Sequence, residues 1–205
     1  MSETDELGGH RRRGPHSVHA AGPTQRLPGD GAVWFCVLGD LIIFGAYFAT
    51  YMLFRAREEQ AFTESSSHLN LDIGFFNTLV LLSSSWLVAR GVLSARQRDE
   101  RRAARFVIGG AACGTVFIIV KLYEWWVETG HGYTFTKDTF FSFYYVLTGA
   151  HLIHVVIGLV VLSVVVLQLR SGAPARVSVA EQGAVFWHMV DLLWVFIFAL
   201  LYIMR

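Results

Sequence analysis

The chain has 205 residues, of which 54% are hydrophobic and 16% charged, and its formal net charge is +1. This composition argues against a soluble domain, because a soluble domain would not need an uncharged stretch as long as the one from Thr139 to Leu169. A stretch of that length can cross a bilayer. The two cysteines, Cys36 and Cys113, lie far apart in apolar segments without a CxxC pattern. They indicate neither a disulfide framework nor a thiolate metal site.

The amino-terminal segment differs from the rest of the chain. It is polar and rich in Gly, Pro, His and Arg, and it lacks the apolar core of a signal peptide. We therefore expect a disordered cytoplasmic tail over residues 1–30, with its arginines beside the first span, and a membrane domain over residues 31–205.

Apolar stretches of spanning length follow in chain order near residues 31–54, 73–93, 104–127, 139–169 and 180–204. In lipid only helices and closed barrels satisfy the backbone, and these unbroken apolar runs differ from the alternating pattern of barrel strands. The sequence therefore predicts an all-α fold, an integral membrane bundle of five transmembrane helices.

The positive charges predict the orientation of this bundle. One side of the membrane receives Arg11, Arg12, Arg13, Arg26, Arg96, Arg98, Arg101, Arg102, Arg105, Arg170 and Arg176. The other side receives Arg55, Arg57, Lys137 and Arg205. Because cytoplasmic loops are enriched in Lys and Arg, we expect a cytoplasmic amino terminus and an external carboxyl terminus.

Polar side chains interrupt the predicted spans, although a charge near the bilayer centre costs on the order of 3 kcal/mol. They are Asp40, Asp72, Lys121, Glu124, His151, His154, His188 and Asp191. Six of them form pairs at i and i+3, so that each pair is expected on one helix face.

We expect these groups to build a polar bundle interior. Lys121 and Glu124 would form an ion pair near the membrane boundary, where the lysine can also reach water. The histidines would be neutral partners of Glu124, Asp191 and backbone carbonyls. Gly110 and Gly114 form a GxxxG pattern, which is typical of close helix packing.

Two sharper interpretations stay open on the residues alone. Glu124, Asp191 and the three histidines are the residue types of a carboxylate–histidine metal site, and histidines on two helices could hold a haem. Alternatively, Asp40, Asp72 or Glu124 handles protons. Asp72 is the best placed of these, because it begins a span where water can reach it, although a helix amino terminus favours a carboxylate whatever its function.

Several segments together resemble subunit III of the haem-copper oxidases. They are "LGDLIIFGAYFATYM", "FNTLVLLSSSW", "KLYEWW", "FFSFYYVLTGAHLIHVVIG" and "AVFWHMVDLLWVFIFALLY". Their order and spacing cover about Val33 to Met204. Within the family, the chain looks most like the short five-helix forms, which include quinol oxidase subunit III and the NorE accessory protein of nitric oxide reductases. The segments "LGDLIIFG" and "NTLVLLSSSW" resemble the NorE-like branch more closely. Longer relatives carry two further helices that form one arm of a lipid-holding cleft.

The resemblance implies a non-catalytic subunit III of a haem-copper terminal oxidase that stabilises subunit I and assists proton uptake. It implies no redox centre or metal bound by this chain, with haem and copper in subunit I, and it leaves room for a bound phospholipid. The implied partners are subunits I and II and membrane lipid, with no nucleic acid, in a bacterial cell membrane. The polar residues of the later spans match family positions inside the bundle.

The resemblance also implies a role for Asp72, which precedes Asn77 by five residues. We match it to the family's membrane carboxylate linked to proton uptake. The alternatives are a NorE-like accessory subunit of a nitric oxide reductase, or a standalone haem-binding cytochrome or transporter. Oxygen or nitric oxide as substrate, and cytochrome c or quinol as electron donor, stay undecided.

Overall fold

The computed structural model describes residues 31–171 and 176–204. The expected tail, residues 1–30, and Arg205 lie outside this range. The helices are α1 (Gly31–Arg57), α2 (Glu59–Ser67), α3 (Leu71–Arg96), α4 (Glu100–Gly130), α5 (Thr139–Ser171) and α6 (Arg176–Phe198). A π-helical turn, Ala199–Ile203, continues α6.

The predicted all-α membrane bundle is confirmed, because five of these helices are long and apolar enough to cross a membrane. They extend beyond the predicted apolar stretches at most of their ends. Helix α4 has 31 residues, or about 46 Å of helix, whereas the hydrocarbon core is about 30 Å thick. The charged ends of the helices therefore continue into the polar region.

Helix α2 was not predicted, because it is short and polar. It lies between two spans and buries only Phe62 and Ser66. Helix α3 then begins at a cap in which the Asn70 side chain accepts hydrogen bonds from the backbone N–H groups of Asp72 and Ile73, at 2.9 and 3.3 Å. Such a cap satisfies amide groups that have no partner within the helix.

The path of the chain defines two ends of the bundle. At the arginine-rich end, α3 finishes at Arg96, α4 starts at Glu100 and α5 finishes at Ser171. At the opposite end lie α2, the start of α3 and the turn between α4 and α5. A tight turn joins α3 to α4, in which Arg98 adopts a φ of 62°.

Helix α6 lies at the centre of the bundle and α1 at its edge. The rings of Trp187 and Trp194 on α6 are completely buried. On α1, by contrast, Phe35 is 80% exposed and Ile42 is 72% exposed. In a membrane these α1 side chains face lipid or another subunit.

Glycines allow α4 to approach its neighbours closely. A Cβ atom at Gly110 would lie 2.7 Å from Val88 Cγ2 and 3.2 Å from the Ser84 carbonyl oxygen. A Cβ atom at Gly114 would lie 2.6 Å from the Trp187 ring. The Ser84 hydroxyl also donates to the Gly110 carbonyl at 2.8 Å, so a side chain of α3 reaches the backbone of α4 at this level.

We predict that Gly110→Ala destabilises the protein by about 1–3 kcal/mol, because the new methyl group forces α3 and α4 apart. Thermal unfolding of the full chain in detergent, followed by circular dichroism, measures the effect. Gly109→Ala is the matched control, since its Cβ would lie 3.4 Å from Leu87, an ordinary contact distance. Equal melting temperatures for Gly110→Ala and the wild type would contradict the prediction.

Candidate functional site: the buried polar interior

A lysine and a glutamate are buried together between α4, α5 and α6. Lys121 is 0% exposed and Glu124 is 1% exposed. The Lys121 ammonium donates to Glu124 Oε2 at 3.1 Å. Since both side chains are removed from water, the ion pair is stable only if the other hydrogen-bond donors of Lys121 and acceptors of Glu124 also have partners.

Two tyrosines supply those remaining contacts. Lys121 donates to the Tyr202 hydroxyl at 2.7 Å and approaches the Tyr144 hydroxyl at 3.3 Å. Both hydroxyl groups in turn donate to Glu124 Oε1. The ammonium also lies 5.2 Å from the Trp194 ring centroid, within the range of a cation–π contact.

This charged cluster is enclosed by the protein on all sides. The expectation that Lys121 reaches water is wrong, because its side chain is fully enclosed. Tyr144 and Tyr202 were not singled out from the sequence, since a tyrosine in an aromatic run gives no periodic signal. A buried lysine nevertheless needs hydrogen-bond acceptors at the same level of the bundle. This need is the signal that could have led to hydroxyl groups on adjacent spans.

A second polar group connects α3 with α6 near the middle of the bundle. The Ser85 hydroxyl and His188 Nδ1 share a hydrogen bond of 2.6 Å. Asp191 is 4% exposed, and its carboxylate oxygens make no hydrogen bond of normal length to the described residues. His188 therefore pairs with a serine, where we expected Asp191.

His151 is held by aromatic rings. It is 0% exposed, and neither of its ring nitrogens has a hydrogen-bond partner in the described part of the chain. Its ring lies edge-on to Phe117 at 5.5 Å and against Trp194 at 5.2 Å. The expected hydrogen bond between a histidine and Glu124 is therefore absent, because the two tyrosines and Lys121 occupy that carboxylate.

His154 points away from this interior, toward α1. Its Nδ1 contacts the Ala150 carbonyl oxygen at 2.8 Å. Its Nε2 lies 3.5 Å from Asp40 Oδ1, and the two side chains are 20% and 25% exposed. The two histidines of α5 thus serve different neighbours, although they are three residues apart.

The two ring nitrogens of His154 have different partners. Since the partner of Nδ1 is a carbonyl oxygen, Nδ1 must carry its hydrogen and donate it. Nε2 then faces a carboxyl oxygen, and contact between the two is favourable only when one of them is protonated. The contact joins α1 to α5 through two partly exposed side chains.

Asp72 has a different setting from Asp40. It is exposed and lies in the first turn of α3, at the end of the bundle opposite to the arginine-rich loops. Asn77, one turn further on, is completely buried, and its side-chain atoms have no hydrogen-bond partner among the described residues. The structure does not bring Asp72 together with the other polar groups.

The predicted site residues thus form separate groups in the bundle. Within residues 31–171 and 176–204, no three His, Cys, Asp or Glu side chains are placed so that they could share a metal ion. The contacts that do form join neighbouring spans: α4 to α5 and α6, α3 to α6, and α1 to α5.

Fold and site together define a multi-pass helical membrane protein whose spans are joined by buried polar contacts. The model of the family described as cytochrome c oxidase subunit III matches residues 32–205. The chain belongs to this family.

Curated relatives agree with this assignment. Cytochrome c oxidase subunit 3 of Thermostichus vulcanus is 33% identical over 82% of this chain and 83% of its own length. The protein of the same name from Synechocystis is 32% identical over 85% of this chain and 74% of its own length. Cytochrome c oxidase subunit 3 of Corynebacterium diphtheriae is 29% identical over 81% of this chain and 83% of its own length. The chain is thus a haem-copper oxidase subunit III, which associates with other oxidase subunits.

We predict that Lys121→Met and Glu124→Gln each destabilise the protein by about 3–5 kcal/mol, because each leaves the other charge buried without its counterpart. The double variant should lose less than the sum of the two. Unfolding of the full chain in detergent gives the three values for a double-mutant cycle. Glu64→Gln on the exposed face of α2 is the control and should change stability by less than about 0.5 kcal/mol. Additive losses would show that the two charges do not interact.

Proposed function

We propose that the chain stabilises subunit I of its oxidase and assists proton uptake, and that the proton is exchanged at Asp40 and His154. The observation that supports this is their contact, which needs one proton and keeps both side chains partly exposed. Among the described residues, it is the only ion pair between a carboxylate and a histidine.

Asp40 and His154 are partly exposed, whereas Glu124 is buried. The oxygens of Glu124 accept hydrogen bonds from Lys121 and two tyrosines, so that its charge is already compensated. Asp40 has His154 on one side and an open surface on the other. In the membrane, that open side faces lipid, a partner subunit or water that enters between them.

Asp72 is the second candidate, because the resemblance matches it to the family carboxylate. With the amino terminus cytoplasmic, as the distribution of arginines favours, Asp72 would face the external side. Proton uptake starts from the cytoplasm, and Asp40 lies between the arginine-rich end and the middle of the bundle. The geometry therefore supports Asp40 over Asp72 as the group that exchanges the proton.

The wider assignment follows from the family. We infer that the partners are subunits I and II in a bacterial cell membrane, with haem and copper in subunit I. The relatives named above are cytochrome c oxidase subunits, which supports oxygen as the substrate of the complex over the nitric oxide of the NorE alternative.

Partner identity is tested by purifying the tagged chain from its native membranes in a mild detergent. We expect a haem-copper subunit I to co-purify with it, and sequencing of that subunit separates an oxidase from a nitric oxide reductase. A pure chain that retains stoichiometric iron or copper would overturn the assignment in favour of a standalone cytochrome.

The proton role is tested in the assembled complex. We predict that Asp40→Asn slows proton uptake about tenfold and shortens the active lifetime, because the amide cannot exchange a proton with His154. This loss is smaller than the 10²–10⁴-fold typical of an obligatory proton-transfer group. Stopped-flow measurement with a pH-sensitive dye gives the rate.

Asp40→Glu and Asp72→Asn are the matched variants. Asp40→Glu restores a carboxyl group at the same position and should recover most of the rate. Asp72→Asn should leave both the rate and the lifetime unchanged. If Asp72→Asn slows uptake and Asp40→Asn does not, the proton site is at Asp72.

A further inference from the structure

A third buried ionisable residue of α4 lies beyond the ion pair of Lys121 and Glu124. Glu128 is 4% exposed, and its Oε2 atom has no hydrogen-bond partner among the described residues. Lys121, Glu124 and Glu128 follow one another at i, i+3 and i+7, so their side chains leave the same face of the helix. This face of α4 therefore buries two carboxyl groups and one ammonium.

The ammonium of Lys121 has no hydrogen-bond donor left for Glu128. Its three N–H groups already have acceptors, which are Glu124 Oε2 and the hydroxyl groups of Tyr144 and Tyr202. Along the helix axis, Glu128 lies about 10 Å beyond Lys121 but only about 6 Å beyond Glu124. An ionised Glu128 would thus have a like charge nearer along α4 than the opposite one.

The position of Glu128 in the helix also disfavours a negative charge. Helix α4 ends at Gly130, so Glu128 lies in its last turn. The carboxyl end of a helix is the negative end of its dipole. Burial without a hydrogen-bond donor, a neighbouring carboxylate and the helix dipole all favour a neutral carboxylic acid over its anion.

The titratable groups within electrostatic range of Glu128 belong to α4, its carboxyl end and α5. In the described part of the chain they are Lys121, Glu124, His131, Tyr144 and Tyr145. His131 is the exposed member of this set. It follows Glu128 by three residues, and its backbone N–H donates to the Glu128 carbonyl oxygen at 3.2 Å. His131 is therefore the group that can connect the buried carboxyl with water.

The turn after α4 covers Glu128. The Tyr133 backbone N–H also donates to the Glu128 carbonyl oxygen, at 3.0 Å. The Tyr133 carbonyl oxygen accepts the Tyr145 hydroxyl at 2.7 Å, and the Tyr133 ring stacks on Phe141 at 4.9 Å. The turn thus folds back over the end of α4 and is attached to α5, while His131 stays exposed.

We propose that Glu128 is a proton-binding site, in which the carboxyl group holds a proton as a neutral acid and exchanges it through His131. In the exchange, the O–H bond of Glu128 breaks and an N–H bond forms on the imidazole, which then gives the proton to water. The site faces the side of the membrane opposite to the arginine-rich loops, because α4 ends there. It does not depend on the role of Asp40 and His154 proposed above.

This site would couple the polar interior to the pH on that side of the membrane. With Glu128 neutral, Glu124 is the single anion beside Lys121. Loss of the proton at high pH places a second carboxylate beside Glu124 and opposes the burial of the cluster. Because the folded chain then holds more protons than the unfolded chain at neutral pH, its stability falls as the pH rises.

Infrared spectroscopy tests the protonation of Glu128 at neutral pH. The full chain in detergent is labelled with ¹³C at its glutamate carboxyl groups, which separates them from Asp40 and Asp191. We expect a ¹³C-shifted C=O band of a protonated carboxylic acid in the wild type and in Glu64→Gln, the exposed control. Glu128→Gln should lack this band.

Two infrared results would overturn the proposal. A band that persists in Glu128→Gln would place the proton on another glutamate. Absence of the band from the labelled wild type would show that Glu128 is ionised, and this measurement decides the question even if Glu128→Gln does not fold.

Unfolding of the full chain at several pH values gives a second measurement. While the folded chain holds one more proton than the unfolded chain, the unfolding constant rises about tenfold for each pH unit. Glu128→Gln should lack this rise, whereas Glu64→Gln should keep it. An equal pH dependence in the wild type and Glu128→Gln would contradict a proton held at Glu128.

The route through His131 is tested by a rapid rise in pH, after which the decay of the same infrared band is followed. His131→Gln should slow the decay at least about tenfold, because the amide cannot relay a proton. His68→Gln is the matched control, since His68 is also exposed at this end and stacks on Tyr133 at 4.7 Å. It should change the rate less than about twofold. An unchanged rate in His131→Gln would overturn the proposed route.

Discussion

The bundle depends on a charge pair that has left water completely. Burying Lys121 and Glu124 costs several kcal/mol for each ion, and their mutual attraction offsets this only when every other polar atom of the pair is satisfied. Tyr144 and Tyr202 meet that condition from two other helices. The pair therefore joins α4 to α5 through Tyr144 and to the turn that continues α6 through Tyr202.

The remaining polar contacts also join neighbouring helices, and the one at the edge of the bundle is partly exposed. Ser84 is buried between α3, α4 and α6, where it donates to Gly110 and accepts from the Trp187 indole at 3.0 Å. The Asp40–His154 contact, which attaches α1, remains partly open. Groups that are completely enclosed join the inner helices, whereas the contact at the edge of the bundle remains partly exposed, as the proposed proton exchange requires.

The sequence was sufficient to predict the five spans, because each apolar run exceeds the thickness of a bilayer. It also located Lys121 and Glu124, since two opposite charges at i and i+3 in a span must be paired. It could not assign partners between helices. His151 and His154 have the same spacing as Lys121 and Glu124, yet one packs on aromatic rings and the other faces α1. The rotation of each helix decides this, and almost uniformly apolar spans contain little information about rotation.

The π-helical turn at Ala199–Ile203 has a consequence for assembly in the membrane. It bears Tyr202, which contacts Lys121, and the Leu200 carbonyl of the same turn accepts the Tyr51 hydroxyl of α1 at 3.1 Å. The Lys121 ammonium of α4 thus obtains its full set of hydrogen-bond partners only when Tyr202 of the last span is in place. Insertion of the earlier helices alone leaves Lys121 with Glu124 and Tyr144 but without the Tyr202 hydroxyl. The final turn therefore completes the polar cluster and joins the first and third spans of the bundle.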